Sequence, residues 1–449
     1  MSVSRIVIGV VAVVVVLALG VLVWIVFTPG PMDFAGGTKV ALADYRAANP
    51  TGVPASLANE NLLKRGEYLA HAADCAECHT AKGGREYAGG FAFTLPFGTL
   101  YSTNITPDKK TGIGNYSDAD FLDAVHRGVR RDGRPLYPAM PFASYTYMTD
   151  ADALAIKAYL FSLPPVHSPD LKNRLAFPFN QRWAVGMWSW FFNADMRFRP
   201  DTGKSPAWNR GAYLAEALAH CGECHTPRNF AFALDNRNKF AGALTGGWRA
   251  YNITSDRNTG IGAWSDADLF AYLAQGHATG HGTASGQMGE AVDNGFADMT
   301  PDDLRAIVAY VRSVPAVSSP DLPATLAPTA PASPKQGAAV ADAFGEHLFE
   351  GACAACHGWT GQSPISPFAT LTGARAVNDP SATNVAQIVI SGTHRKTPAG
   401  VVSMPAFGPS FSNLEIAAVA NYVTARFGAK GSSLTEKDIA DLRRQTMQP

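Results

Sequence analysis

The chain has 449 residues, and its 37 lysines and arginines balance 37 aspartates and glutamates. This balance gives no electrostatic basis for binding nucleic acid or an acidic partner surface, and we expect neither. The length allows about three domains of ordinary size. With 42 glycines, 30 prolines and only 16% charged residues, those domains should be small and rich in loops.

The first predicted element is an apolar run from Ile6 to Phe27, which carries no charge and is long enough to cross a bilayer as a helix. It ends in aromatic and branched residues rather than in the small residues of a cleavage site. We therefore expect an uncleaved anchor over residues 1–30, with a cleaved leader as the alternative. Arg5 and the amino terminus precede the run, so the positive-inside rule places the remainder outside the cytoplasm.

A pair of cysteines three positions apart, followed directly by a histidine, occurs three times. The copies are CAECH at 75–79, CGECH at 221–225 and CAACH at 353–357, and together they use all six cysteines. One copy alone would be compatible with a redox pair, half of a zinc site or a haem attachment site. Three copies that leave no cysteine over also leave none for a structural disulfide.

The geometry of this motif favours haem. Residues i and i+3 lie on one face of a helix, so both thiols can reach the two vinyl groups on one porphyrin edge. The next residue then presents its imidazole to the iron. A thioredoxin-like pair expects a βαβ unit, and structural zinc a second Cys/His pair at a characteristic spacing; neither is present. We predict three covalent haem c groups, attached through Cys75 and Cys78, Cys221 and Cys224, and Cys353 and Cys356, with the iron ligands His79, His225 and His357.

An internal repeat surrounds the first two motifs. The stretch NITPDKKTGIGNYSDAD at 104–120 returns as NITSDRNTGIGAWSDAD at 252–268, and each copy ends in a Ser-x-x-Asp helix start, an acidic variant of the capping box. The third motif lacks this stretch. Each copy of the motif also follows a helix with a glycine and precedes a helix with an aromatic residue, which permits a close helix crossing; the pairs are Gly66 and Tyr159, Gly211 and Tyr310, and Gly345 and Tyr422.

A methionine at a constant distance is predicted to supply the second axial ligand of each haem. A haem that only transfers electrons has both axial sites filled, and thioether sulfur opposite histidine raises its potential. Met140, Met288 and Met404 each lie twelve positions after a glycine that ends a helix, and Met404 fixes the register. Met148 and Met299 compete, but both directly precede an acidic helix start and are read as packing residues. With no open iron, we expect no catalytic site in this chain, and a haem peroxidase is disfavoured.

These observations predict a mainly α fold with one N-terminal transmembrane helix and three haem domains. The expected boundaries are an anchor at 1–30, haem domains at 55–165, 209–316 and 341–430, an aromatic-rich linker at 166–208, a Pro/Ala linker at 317–340 and a tail helix at 431–449. The aromatic-rich linker contains RWAVGMWSWFF at 182–192. We favour inter-domain packing for these aromatic residues, with a membrane-surface or quinone-contacting element as the alternative.

The chain resembles the tri-haem cytochrome c subunits of membrane-bound dehydrogenase complexes from acetic-acid and related bacteria. The resemblance covers nearly all of residues 60–430 and depends on CAECHT, LYPAMPFASY, CGECHTPRN, CAACHG and VVSMPAFG together with the repeated stretches. It implies three class I-like cytochrome c domains, a periplasmic position at the bacterial inner membrane, and electron transfer from a catalytic dehydrogenase subunit to ubiquinone. The haem-bearing subunit of a terminal oxidase is less favoured, because of the duplicated order of the three motifs.

The resemblance leaves the substrate of the catalytic partner open among alcohols, aldehydes and sugar acids such as gluconate. Alcohol-dehydrogenase cytochrome subunits resemble secreted proteins with cleaved leaders, whereas this chain is expected to keep its anchor. That departure favours an aldehyde dehydrogenase with a molybdenum cofactor and a small iron–sulfur subunit. The alternative is a quinoprotein alcohol dehydrogenase or a flavin-dependent gluconate or sugar dehydrogenase.

Overall fold

The computed structural model describes residues 3–26, 37–46, 49–319, 322, 343–397 and 400–446. Most of the expected Pro/Ala linker at 317–340 lies outside these residues. Helices dominate, which confirms the predicted mainly α class. They are α1 (Val3–Val26), α2 (Leu62–Ala72), α3 (Cys75–His79), α4 (Asp118–Leu122), α5 (Phe142–Tyr145), α6 (Asp150–Ser162), α7 (Arg182–Phe192), α8 (Pro206–Tyr213), α9 (Gly222–His225), α10 (Asp266–Gln275), α11 (Gln287–Asn294), α12 (Pro301–Val311), α13 (Ala343–Ala352), α14 (Ala354–His357), α15 (Thr383–Ser391), α16 (Asn413–Phe427) and α17 (Glu436–Gln445).

The strands are short and antiparallel. They are β1 (Ala92–Leu95), β2 (Gly98–Tyr101), β3 (Arg174–Leu175), β4 (Ala243–Thr245), β5 (Trp248–Ala250), β6 (His277–Ala278), β7 (Gly282–Thr283), β8 (Thr393–Thr397) and β9 (Gly400–Met404). β1, β2 and β3 form one sheet in that order, and the others pair as hairpins. Strand β3 lies in the expected linker at 166–208 and adds a third strand to the sheet formed by β1 and β2, so this part of the linker packs with the first repeat.

Helix α1 is long and apolar enough to cross a membrane over Ser4–Trp24, which is 21 residues. Its side chains are exposed from Ser4 to Val23. Trp24 contacts the body of the protein, because the guanidinium of Arg237 lies 4.2 Å from the centre of its ring. A signal sequence meets the same criteria of length and apolarity, so these criteria alone do not separate an anchor from a leader.

The predicted crossings of a glycine-bearing helix with an aromatic-bearing helix are confirmed. α2 packs on α6, α8 on α12 and α13 on α16. A Cβ added to Gly66 would lie 1.9 Å from the carbonyl oxygen of Ala155, and one added to Gly211 would lie 1.8 Å from that of Ala306. Real atoms do not approach so closely, so only glycine allows these helices to touch through their backbones.

The predicted capping boxes are also confirmed. In α4, the Ser117 side chain accepts a hydrogen bond from the backbone N–H of Asp120, whose carboxylate accepts one from the Ser117 N–H. Ser265 and Asp268 repeat this arrangement in α10. Each box satisfies N–H groups that the first helical turn leaves unpaired.

The two repeats have an equivalent tyrosine before the first cysteine, and the second repeat has one more residue between them. The intervals are Tyr68 to Cys75 in the first repeat and Tyr213 to Cys221 in the second. The structure accommodates the extra residue in a turn of π-helix, Leu214–Leu218, which continues α8. A π-helical turn takes up one residue more than an α-helical turn, which is how a helix absorbs a single insertion.

The first two repeats share one hydrophobic core, whereas the third repeat has its own. A reciprocal hydrogen-bond pattern joins the first two. The hydroxyl of Tyr68, on α2, donates to Asp303 at the start of α12, and the hydroxyl of Tyr213, on α8, donates to Asp152 at the start of α6 over 2.7 Å. Arg210 holds Asp303 with two donors. We call these contacts the Tyr–Asp clasps.

Candidate haem sites

The first Cys-x-x-Cys-His motif forms the short helix α3, which begins after Asp74 in a left-handed backbone conformation with φ 56°. The Nδ1 atom of His79 lies 2.7 Å from the carbonyl oxygen of Thr103. A carbonyl can only accept, so Nδ1 carries the proton and donates. This bond fixes the ring orientation and leaves Nε2 as the lone-pair nitrogen that can bind a metal.

The same arrangement recurs at both other motifs. The Nδ1 atom of His225 lies 2.6 Å from the carbonyl oxygen of Tyr251, and that of His357 lies 2.6 Å from the carbonyl oxygen of Ala369. In the first two repeats the accepting residue directly precedes the repeated Asn-Ile-Thr stretch. The duplicated stretch therefore positions the carbonyl that orients each histidine.

Burial sets the protonation of these groups. Loss of water contact lowers the pKa of the His79, His225 and His357 imidazoles below the usual value, and the bond to the carbonyl opposes this only in part. The rings are therefore neutral near pH 7, as metal ligation requires. Burial likewise raises the pKa of the Cys75 and Cys221 thiols to about 12, so each stays an uncharged group in an apolar wall.

One cavity of about 540 Å³ connects the second and third sites. Its wall carries both thiols, the histidine and the predicted methionine of each site; these are Cys221, Cys224, His225, Met288, Cys353, Cys356, His357 and Met404. Most of the remaining wall is apolar and includes Ile253, Ile261, Leu269, Val385, Ile388 and Phe407. An apolar cavity with thiols, an imidazole and a thioether on its wall fits the chemistry of a covalently attached haem.

The first site contacts this cavity through Cys78, which lies on its wall. Met140 packs against the same hydrophobic core as Cys75. The pKa of the Cys78 thiol is raised by burial and by nearby acidic groups, and the Cys224 thiol of the second site contributes as well. The attachment helices of the first two sites are therefore neighbours.

The glycines from which the methionines were counted end helices, as expected. Gly128, Gly276 and Gly392 each end a helix with φ of 64°, 67° and 69°. By contrast, Met148 and Met299 are buried in the core directly before the capping residues of α6 and α12. The two competitors therefore occupy the packing positions that were expected of them.

Sequence analysis missed Arg395, which is 1% exposed on strand β8. Its guanidinium pairs with Asp293 at 2.9 Å and donates to the carbonyl oxygen of Gly289, the residue after Met288. β8 also pairs with β9, which ends at Met404. One arginine thus links the two segments that carry the second and third methionines, and an isolated arginine in a hairpin gives no sequence signal for that role.

Two family models match the chain. The model described as cytochrome c matches residues 63–164, and the model described as cytochrome c oxidase, cbb3-type, subunit III matches residues 341–423. Cytochrome c domains imply covalently bound haem c. The matches cover the first and third of the expected haem domains.

Relatives align over most of the chain. The fructose dehydrogenase cytochrome subunit of Gluconobacter japonicus is 39% identical over 440 residues, which cover 92% of this chain and 89% of that protein. The gluconate 2-dehydrogenase cytochrome c subunit of Pantoea cypripedii is 36% identical over 411 residues, 86% and 90% of the two chains. The alcohol dehydrogenase (quinone) cytochrome c subunit of Gluconobacter oxydans is 35% identical over 402 residues, 86% and 83%. The predicted resemblance is thereby confirmed, and the chain belongs to the family of cytochrome c subunits of membrane-bound dehydrogenase complexes.

Proposed function

We propose that this chain carries three haem c groups and transfers electrons from a periplasmic dehydrogenase subunit to ubiquinone at the bacterial inner membrane. The observation that carries the proposal is the threefold recurrence of one local geometry. Each Cys-x-x-Cys-His motif forms a short helix, and each histidine donates Nδ1–H to a backbone carbonyl at 2.6–2.7 Å. Motifs that served different chemistries would have no reason to share this orientation.

The residues have distinct roles in this proposal. The cysteines that would hold the haems through thioethers are Cys75, Cys78, Cys221, Cys224, Cys353 and Cys356. The side chains that would bind the irons are His79 with Met140, His225 with Met288, and His357 with Met404. Bound haem iron supplies one-electron redox chemistry, which the protein tunes through axial ligands and burial. The carbonyl bond to each histidine holds its ring in the ligating tautomer. The apolar walls exclude water and so limit reorganisation.

Helix α1 is proposed to anchor the chain, with Arg5 on the cytoplasmic side and the repeats in the periplasm. Exposed apolar side chains from Ile6 to Val23 support this, because the helix buries none of them against the protein. A chain held at the membrane can reach a quinone dissolved in the bilayer, whereas a freely diffusing cytochrome meets it only by collision.

Two classes of catalytic partner remain. The expected retention of the anchor favours an aldehyde-oxidising subunit with a molybdenum cofactor and a small iron–sulfur subunit. The names of the relatives, which refer to fructose, gluconate and alcohol, favour a flavin- or quinone-dependent dehydrogenase of sugars, sugar acids or alcohols. Both classes deliver electrons to the same haem-bearing subunit.

The test is cofactor analysis of the complex purified from detergent-solubilised membranes through this chain. Three haems per chain are expected by the pyridine haemochrome assay, and the double variant Cys353→Ala/Cys356→Ala should retain two. A purified chain with fewer than three would refute the haem assignment. Molybdenum with iron in excess of haem identifies the first partner class, and flavin or a quinone cofactor identifies the second.

A second measurement tests the axial methionines. A haem with both axial positions filled should not bind carbon monoxide in the reduced state, so the native chain is expected to show no spectral shift. Met404→Ala should open one site and produce a carbon monoxide difference spectrum of one haem. Ready binding by the native chain would mean that an axial methionine is wrongly assigned.

A further inference from the structure

Helix α7 has two faces of different character. On one face lie Trp183, Met187 and Trp190, which are 67%, 55% and 79% exposed. Their spacing of i, i+4 and i+7 makes one continuous stripe along the helix. On the other face Val185 is buried, and Trp188 contacts the ring of Phe142 at 6.0 Å. The favoured expectation of inter-domain packing is therefore correct for one face only.

A short loop of the second repeat connects α7 to the end of α1. Phe230 lies 5.9 Å from Trp24, the last aromatic residue of the apolar helix. The next residue, Ala231, accepts a hydrogen bond from the indole N–H of Trp188 at 2.8 Å. The end of the apolar helix and the inner face of α7 thus contact consecutive residues of one loop, which places α7 close to the end of α1.

Further exposed aromatic residues continue this surface. Phe230 itself is 70% exposed and Phe177 is 79% exposed. Phe179 stacks on Phe97 at 4.0 Å, and both rings contact Phe232 of the same loop. We define the aromatic face as Phe177, Trp183, Met187, Trp190 and Phe230.

Most of the aromatic face belongs to the segment 171–194, and all the charged residues of that segment are basic. No aspartate or glutamate occurs between Asp170 and Asp195, whereas Lys172, Arg174 and Arg182 do. Exposed tryptophan and phenylalanine in a segment whose charged residues are all basic match the interfacial region of a bilayer that contains anionic lipid. The surface of a catalytic subunit would equally offer apolar contacts, but it would not require a position beside the end of a membrane helix.

We propose that the aromatic face lies in the headgroup region of the bilayer that α1 enters, so that the first repeat and the membrane are held together at two points. The inference rests on the proposed anchoring by α1. Trp24 is at the depth where the apolar helix leaves the hydrocarbon, and its contact with Phe230 brings the aromatic face to that depth. Two attachment points fix the tilt of the protein on the membrane, which a single helix cannot do.

Site-specific photocrosslinking tests the proposal in the full-length chain within its membrane complex. The photoreactive residue p-benzoylphenylalanine replaces Trp183 or Trp190 in separate variants. Val14 in α1 serves as the positive control for lipid contact, and Trp359, which is 48% exposed in the third repeat and outside the aromatic face, serves as the matched control. An unchanged haem absorbance spectrum shows that each variant is folded, and mass spectrometry identifies what the label has captured.

The proposal expects phospholipid adducts at positions 183 and 190, about tenfold above position 359, because only inserted side chains stay in contact with lipid. Lipid adducts at position 14 combined with capture of the dehydrogenase subunit or a second copy at 183 and 190 would overturn it and leave the anchor intact. No lipid adduct at position 14 would overturn the anchor and this inference together. Equal lipid labelling at 190 and 359 would also refute it, since it would mean non-specific capture.

Discussion

Helix α13 contains two glycines in contrasting surroundings, which allows a controlled test of the helix crossing. A Cβ added to Gly345 would lie 2.5 Å from the carbonyl oxygen of Ala418 and 3.0 Å from the Cβ of Tyr422. A Cβ added to Gly351 would meet nothing within 4 Å. Both positions are helical, so alanine gains the same helix propensity at each, and only the packing against α16 differs.

The magnitudes follow from opposing effects. Replacing an exposed helical glycine by alanine should stabilise by about 0.5–1 kcal/mol, and this is the whole effect expected for Gly351→Ala. At Gly345 the same gain is opposed by overpacking, which typically costs about 1–3 kcal/mol because the helices must separate. Gly345→Ala should therefore destabilise the third repeat by about 1–2 kcal/mol, equivalent to a fall in Tm of roughly 5–10 °C for a unit of this size.

The assay is hydrogen exchange of α13 and α16 in the full-length protein, with urea denaturation followed by circular dichroism as a second measure. Amides of both helices should exchange faster in Gly345→Ala and more slowly in Gly351→Ala than in the native chain. Gly345→Val should exceed Gly345→Ala in effect, because the larger side chain separates the helices further. Equal behaviour of the two alanine variants would refute the close crossing as the reason for glycine at 345.

Three further predictions concern groups outside the crossings. Burial lowers the pKa of His126 from 6.5 to about 4, so the free energy of unfolding should fall by up to about 3 kcal/mol as the pH drops from 6.5 towards 4. In His126→Leu the urea midpoint should depend less on pH across that range, and an unchanged pH dependence of the midpoint would contradict this. Asp303→Asn should lower Tm more than Asp152→Asn, because Arg210 donates two hydrogen bonds to Asp303. Equal losses of Tm would argue against a stabilising contribution from Arg210. Arg395→Met leaves Asp293 without its buried cation and should lower the free energy of unfolding by about 3 kcal/mol. The loss should appear as faster hydrogen exchange in α11, and unchanged exchange there would refute the link between α11 and β8.

Local patterns in the sequence predicted the features that depend on near neighbours. The cysteine helices, the Ser-x-x-Asp capping boxes and the glycines at the helix crossings each need only a few residues at fixed spacing, and each appears in the structure. The constant distance from a helix-ending glycine to a methionine is also local. Such patterns are readable because the backbone geometry of one helix or turn determines them.

Contacts between distant segments left no comparable signal. The carbonyl acceptors of the histidines come from the backbone of Thr103, Tyr251 and Ala369, whose side chains are irrelevant to that role. Arg395 acts through a hairpin that meets the second repeat only after folding. The aromatic run of α7 could be recognised, but its division into a packed face and an exposed face depends on where α7 docks.

The common core of the first two repeats has a consequence for how the protein is made. One cluster of buried side chains extends from Val53 to Val314, and a second, in the third repeat, extends from Phe349 to Ile439. In the proposed topology α1 stays in the membrane and the repeats cross it in chain order, so the earlier cluster cannot be completed until the second repeat has also crossed. The apolar side of the first repeat is then exposed to haem-attachment enzymes and to chaperones until the second repeat arrives, whereas the core of the third repeat needs only its own segment.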